Sequence, residues 1–492
     1  METNIEKSSL RCGELILDTS LQQAIDCDAL LPDYCPDMLR VLKCCVNPII
    51  SNTQVRGTSL DIEGLAEISV YYIGSVDGVY KADYKVPFTR NIELRKTCEE
   101  CSVNTSSSVV YVNCRAVNQR RLDIRGAIEI CVQCIAFNDE GIVTDASADA
   151  LHLLKEKLSI YKPIPDIAVQ IRTNENIEEL YGKPPIKDIL RSEAISKIID
   201  STAENGKIII KGEISLYIFY RSEDGSYDRM EFNLPLNSII NSEYITADTK
   251  YTLFDKTLMC KCEPNGNTIE ADIVTEIKCC MRSAFETDIC KDCFSTKYKC
   301  DFEKNPIKTI VYEDTISKSI LCRESIDAPE DIKNILDIRC EPAKINIDNG
   351  NLNLKFNICV LTVTNEDEIF YFEKTLEASE PLLAPSENVI LTPAYKILSC
   401  DYNIISDRSI ELRIEIEFKS TIYKENTIET ISEIKLDTTS EPENPIKKGL
   451  YIYYPDKKEN VWDIAKKYNT SPETIREEND EENPKIIIIP VN

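Results

Sequence analysis

The chain has 492 residues, too many for one ordinary hydrophobic core. With 42% hydrophobic residues and only 14 Gly and 22 Pro, it points to three or four packed domains and excludes a collagen-like or disordered chain. Lys and Arg number 57 against 84 Asp and Glu, a net charge of −27, so nucleic acid and anionic lipid are unfavourable partners and a basic or locally basic one suits better.

The opening stretch, METNIEKSSLRCGELILD, carries charges and lacks the apolar run of a secretory signal. No other run approaches the ~18 apolar residues of a membrane span, so a cytoplasmic setting is expected. The 21 cysteines cannot all pair within one chain, and most lie in apolar, strand-like segments, among them Cys131 and Cys134, Cys279 and Cys280, and Cys359. They are expected to be reduced thiols behaving as small hydrophobes.

Three blocks recur in the same order at a spacing of about 145 residues, a domain-sized period. The first is Pro36-Asp37-Met38-Leu39-Arg40-Val41-Leu42, answered by Pro184-Pro185-Ile186-Lys187-Asp188-Ile189-Leu190 and by Glu330-Asp331-Ile332-Lys333-Asn334-Ile335-Leu336. Apolar residues at i, i+3 and i+4 in each copy predict a short helix or helical turn docked on a sheet. The second block alternates with period two. Glu67-Ile68-Ser69-Val70-Tyr71 matches Glu213-Ile214-Ser215-Leu216-Tyr217, followed by Asp77-Gly78 and Asp224-Gly225, which predict hairpin turns. In the third copy Leu352, Leu354, Phe356 and Ile358 alternate, with Asn365-Glu366-Asp367-Glu368 at the turn. The third block is RLDIRGAIEICV, TIEADIVTEIKC and SIELRIEIEFKS. In the last of these Ile410, Leu412, Ile414, Ile416 and Phe418 share one face and charged residues the other, as in an antiparallel sheet covered on one side.

The expected fold class is therefore mainly β or α+β: three tandem antiparallel β-rich repeats with short helices, at 1–162, 163–303 and 304–437. A polar linker follows at 438–449, then a small βααβ module at 450–492. Boundaries are placed near Pro163 to Asp166 and near Lys304 to Lys308. In the last module Ile452-Tyr453-Tyr454 predicts a strand. Asn460 caps a helix carrying Val461, Ile464, Ala465 and Tyr468, Ser471 caps a second with Pro472 at its first position and Ile475 inward, and Lys485 to Pro490 closes as a strand.

Val461 to Ile475, VWDIAKKYNTSPETI, with the final IIIP, resembles a LysM domain, a family that generally binds N-acetylglucosamine glycans. Two departures weaken a glycan role: Lys458-Glu459 replaces the usual Gly-Asp, and the approach to the last strand is cut to Glu481-Glu482-Asn483-Pro484. Trp462 is read as a packing aromatic ahead of a sugar platform. LPDYCPDMLRVL at Leu31 to Leu42 resembles the opening motif of the SPOCS domain. Tandem SPOCS-like repeats before one LysM domain resemble the SipL-like clostridial spore-coat morphogenetic family. The resemblance implies a mother-cell protein at the forespore surface whose LysM domain contacts the ATPase that polymerises into the basement layer of the coat. It also implies a partner-binding surface around Trp462, with Tyr454, Lys458, Asn460, Val461, Thr470, Ser471 and Ile475.

Catalytic chemistry finds little footing. His152, the single histidine, in DALHLLKEKL on an expected helix, excludes multi-His zinc sites and a repeated Ser-His-Asp triad. Cys131 and Cys134 lie in a strand, where an offset of three splits them between faces. Cys98 with Cys101 and Cys290 with Cys293, in charged, loop-like stretches, are the weak metal candidates, set against free or redox-active thiols. No phosphate-cradling glycine loop is present. The expectation is a non-enzymatic scaffold without a cofactor that binds a protein partner. Glycan binding to peptidoglycan is the alternative, and a thiol-based metal or redox sensor is a third class.

Overall fold

The computed structural model describes residues 4–76, 78–178, 184–265, 268–348, 350–382, 389–442, 446–455, 459–479 and 486–491. The first unit comprises β1 (Asn4–Leu30), β2 (Met38–Gly74), β3 (Val79–Cys98), β4 (Glu100–Ala116) and β5 (Arg121–Ser147). The second comprises β6 (Leu151–Ile177), β7 (Ile186–Glu204), β8 (Lys207–Ser222), β9 (Tyr227–Asn241), β10 (Lys250–Asn265) and β11 (Thr268–Ser295). The third comprises β12 (Lys299–Asp327), β13 (Asn334–Asp348), β14 (Asn351–Val363), β15 (Ile369–Pro381), β16 (Val389–Ser406) and β17 (Ser409–Asp437). Pro163 to Asp166 and Lys304 to Lys308, where the sequence suggested boundaries, fall inside β6 and β12.

The strand order repeats from unit to unit. One sheet takes the first and the last two strands, as β1-β5-β4, β10-β11-β6 and β12-β17-β16, and the other takes the strands between, as β2-β3, β7-β8-β9 and β13-β14-β15. The 37-residue β2 doubles back at Gly57 (φ 62), with Ser51 Oγ donating to Glu63 O at 3.1 Å across the two legs. The matching turns of the other units carry Gly206 (φ 83) and Gly350 (φ 75), a left-handed backbone that glycine adopts without steric cost. The two sheets of a unit bury alternate residues against each other. In β17 Ile410, Leu412, Ile414, Ile416 and Phe418 have no exposed surface, each burial contributing about 1.5–3 kcal/mol.

The helical turns expected at Met38–Leu42, Ile186–Leu190 and Ile332–Leu336 are absent. β2 opens at Met38, β7 at Ile186, and Ile332 leads into β13, while His152, also expected on a helix, lies in β6. In the second copy, register shifts between Ile186 and Asp188 and between Ile189 and Arg191 explain the misleading spacing, and in the third a shift follows between Ile335 and Asp337. An extra residue at a β-bulge turns the chain, so positions i and i+3 face one core. Met38 and Val41, Ile186 and Ile189, and Ile332 and Ile335 enter the cores of their own units. The i+4 residues, Leu42, Leu190 and Leu336, meet in one cluster shared by all three units.

That cluster shows how the repeats are arranged. They are not beads on a string, because each unit contacts both others. Tyr71 Oη donates to Leu190 O at 3.1 Å, Arg191 pairs with Asp337 at 2.8 Å, and Arg40 donates to Ile369 O at 2.7 Å. Beyond the shared leucines lies a charged layer in which Arg191 grips Asp337 through two nitrogens, Arg339 approaches Glu341 at 3.3 Å, and Lys43 pairs with Glu373. Burial alone would lower the Arg191 pKa, but the carboxylates of Asp337 and Glu193 overcome it and hold the guanidinium charged. A second junction forms where the long strands continue past the sandwiches: Val143, Cys290 and Ile431, and Ala146, Cys293 and Ile434, gather from β5, β11 and β17. The charged layer borders a cavity of about 40 Å³, room for water and not for a substrate. No described helix is long and apolar enough to cross a membrane.

Candidate protein-docking site

The chain ends in β18 (Gly449–Tyr453), α1 (Val461–Tyr468), α2 (Pro472–Glu477) and β19 (Ile487–Val491), with β18 antiparallel to β19. Asn460 accepts the Asp463 N–H and so caps α1, and Ser471 accepts from Glu473 and Thr474 at α2, which starts at Pro472. Lys466 and Lys467 sit in the last turn of α1, where the helix dipole favours cations. Ile464, Ala465, Ile475, Ile489 and Val491 close a small core, to which outside contacts add burial.

The second unit supplies most of those contacts, and Phe302 of the third unit adds one. Trp462 is 7% exposed, with its ring edge-on to Phe294 of β11 at 4.9 Å between centroids and its indole N–H donating to Asp292 at 2.9 Å. Lys466 donates to both oxygens of the same carboxylate, at 2.6 and 2.9 Å, and stands over the Phe302 ring at 5.0 Å. His152 also stacks on Phe294, at 5.2 Å, and its Nδ1 lies 3.7 Å from Glu473 of α2. Burial lowers the His152 pKa and Glu473 offsets part of that shift, so the imidazole is neutral at pH 7.

This placement sorts the residues singled out from the sequence. Trp462 is committed to an internal interface, Thr470 is buried with its hydroxyl donating to Pro490 O at 2.6 Å, and Ile475 belongs to the small core. Asn460 and Ser471 serve as caps, Val461 is half-buried, and Lys458 lies outside the described residues, as do Asp77 and Glu481 to Pro484. Of the set, Tyr454 alone offers a large exposed apolar surface, at 69%.

Its neighbours define a face that sequence reasoning missed. Leu450 (68%), Ile452 (65%), Ile486 and Ile488 are exposed too, and Ile452 lies directly opposite Ile488 in the β18–β19 pairing. One side of a two-stranded sheet is thus apolar and uncovered, while Tyr451 and Tyr453 turn toward Tyr468. The signal was the alternation Leu450-Tyr451-Ile452-Tyr453-Tyr454, in which both faces carry large apolar side chains although one helix pair can cover only one of them.

The candidate metal cysteines lie on strands, with Cys101 hydrogen-bonded to both Cys98 and Cys134. Cys98 ends β3 and Cys101 lies in β4, so neither occupies the expected loop, and Cys98 donates to Glu100 O at 2.9 Å. Cys290 and Cys293 both lie in β11, also not a loop, and Cys293 faces Cys300 across 3.7 Å between sulfurs. Cys131 is exposed and Cys134 buried, the opposite-face placement that a strand imposes. Among the described residues no three His, Cys, Asp or Glu side chains gather so as to hold a metal ion.

A family model described as SipL, SPOCS domain, matches residues 37–117 and 185–261, about a third of the chain. Both matches begin one residue before a strand opens, at Met38 and at Ile186, and run through the second sheet of a unit into β4 and β10. The third unit has the same strand order and lies outside these two matches. Neither the curated proteins nor the solved structures contain a match.

Proposed function

We propose that this SPOCS-domain protein is a non-enzymatic adaptor in spore-coat assembly, its three units forming a rigid acidic body that presents the C-terminal module to a protein partner. Two SPOCS-domain matches tie the chain to sporulation and the SipL-like family. The LysM-like reading of the terminal module, and the coat basement-layer ATPase as partner at the mother-cell side of the forespore, follow from the resemblance noted in the sequence.

The observation that carries a docking role is the uncovered apolar face of Leu450, Ile452, Tyr454, Ile486 and Ile488. Side chains exposed to this degree on a short sheet add nothing to the fold of the chain, and covering them with a partner gives roughly 25 cal/mol for each Å² of apolar area removed from water. A sugar platform is disfavoured because the ring of Trp462 is already packed on Phe294.

Ile452→Glu places a charge at the centre of this face without touching the module core. It is expected to leave thermal unfolding unchanged and to lower capture of the purified basement-layer ATPase at least tenfold. Undiminished capture by the folded variant removes the proposed surface, and millimolar binding of chitin oligomers by the unmodified chain would favour the glycan reading instead.

A further inference from the structure

The sulfurs of Cys293 and Cys300 lie 3.7 Å apart, on β11 and on β12 just past the turn that joins these strands. A disulfide needs them about 1.7 Å closer, within reach of side-chain rotation at a chain turn. Their position is particular. Asp292, the acceptor for Trp462 and Lys466, immediately precedes Cys293 and takes the Cys293 backbone N–H at 2.9 Å. Lys466 stands over Phe302, two residues beyond Cys300. The dithiol therefore underlies the contact that holds the C-terminal module.

We propose that Cys293 and Cys300 form a reversible dithiol–disulfide couple, oxidised by low-molecular-weight disulfides, whose reactivity depends on the docked C-terminal module. The two thiols are unequal. Cys293 is 1% exposed, whereas Cys300 is half-buried and open to attack a small reagent. The hydrogen bond shared by the two sulfurs lowers the Cys300 pKa and Lys466 adds to this, while burial, Asp301 and Asp292 oppose it. The shared proton, together with burial, raises the Cys293 pKa.

Cys300, the more exposed of the two, is the attacking thiolate. Its sulfur bonds to one sulfur of the reagent, the reagent's S–S bond breaks, and the departing thiolate takes up the proton that Cys300 released. Cys293 then loses its proton and attacks the Cys300 sulfur, breaking the mixed disulfide and expelling the second thiolate, which takes that proton. Two cysteine thiols are oxidised by two electrons and one small disulfide is reduced to two thiols.

The test uses the full chain with oxidised glutathione, quenched by alkylation and mapped by peptide mass spectrometry. A Cys293–Cys300 crosslink is expected, reversed by reduced glutathione. Cys293→Ser should instead trap a glutathionyl group on Cys300, a result that needs no ring closure and so survives any strain the crosslink introduces. Lys466→Gln should slow the reaction roughly threefold or more by removing the cation and loosening the module. Alkylation of both thiols after other cysteines have been oxidised, or a Cys293→Ser chain without glutathione on Cys300, overturns the couple. An unchanged rate in Lys466→Gln overturns its dependence on the module.

Discussion

The three-unit body and the C-terminal module satisfy the same requirement in opposite ways. The body covers the inner faces of its sheets: each unit buries a sandwich core, and Leu190 and Leu336 are buried among the units with the half-buried Leu42 against them. The module buries one side of its small sheet, borrows Phe294 and Asp292 from the second unit, and leaves the other side bare. The contrast teaches where stability and partner binding are separable. Substitutions inside the body are expected to act on folding, and those on the outer face of β18 and β19 on the proposed docking.

The largest effect is expected where the body is most committed, at the Arg191–Asp337 pair. Arg191→Ala leaves a carboxylate with a side chain 13% exposed and no bidentate partner, a loss of about 3–5 kcal/mol, read as a lowered denaturant midpoint at unchanged slope. The paired replacement Arg191→Met with Asp337→Leu should recover most of that loss, because well-packed apolar groups can substitute for a buried ion pair. A single variant as stable as the parent would mean that the units do not depend on one another there, and the contrast with the module would fail.

A smaller effect is expected at Asp292, where the body meets the module. Asp292→Ala removes the acceptor of Trp462 and both bonds of Lys466, weakening docking by about 2 kcal/mol, or roughly thirtyfold in the docking equilibrium. Trp462 is the single tryptophan of the chain, so its fluorescence reports docking directly. A red-shifted emission with the unfolding of the body unchanged is the expected outcome. An unshifted spectrum would show that Phe294 packing alone holds the module.

The legible parts of this arrangement were the local ones. Alternation in segments such as Ile410 to Phe418 declared buried strands, and Asn460 and Ser471 declared the helix starts. The bulged strands were misread because an inserted residue gives i, i+3 spacing to one face of a strand, and nothing local marks the insertion at Ile186 or Ile335. The docking contact was out of reach, since Asp292 and Trp462 are 170 residues apart. The inter-unit charges did leave a trace. Arg191 and Asp337 are separated by 146 residues, the period of the repeat, so Lys43, Arg191 and Asp337 occupy matching positions beside matching leucines. A charged residue recurring beside a buried leucine, with its sign reversed in one copy, indicates repeats that pair with one another.

The smallest effect tests how finely docking is balanced, and it turns on His152, between Phe294 and Glu473. Docking buries the imidazole and lowers its pKa, with the Glu473 carboxylate opposing the shift in part. The undocked chain, with an ordinary value near ~6.5, therefore binds more protons as the medium becomes acidic. Linkage fixes the sign: the His152 contribution to docking is complete above pH ~6.5 and is lost as pH falls through the depressed value. Glu473 is held below its usual range, first by the Ser471 hydroxyl, and stays ionised through this window. Trp462 emission should shift modestly to the red between pH 7.5 and 5.5 (values about one unit either side of the ordinary imidazole pKa), and His152→Gln should abolish that shift while leaving docking at neutral pH. A shift of equal size in the variant would assign the pH response to the Asp292–Lys466 contact instead.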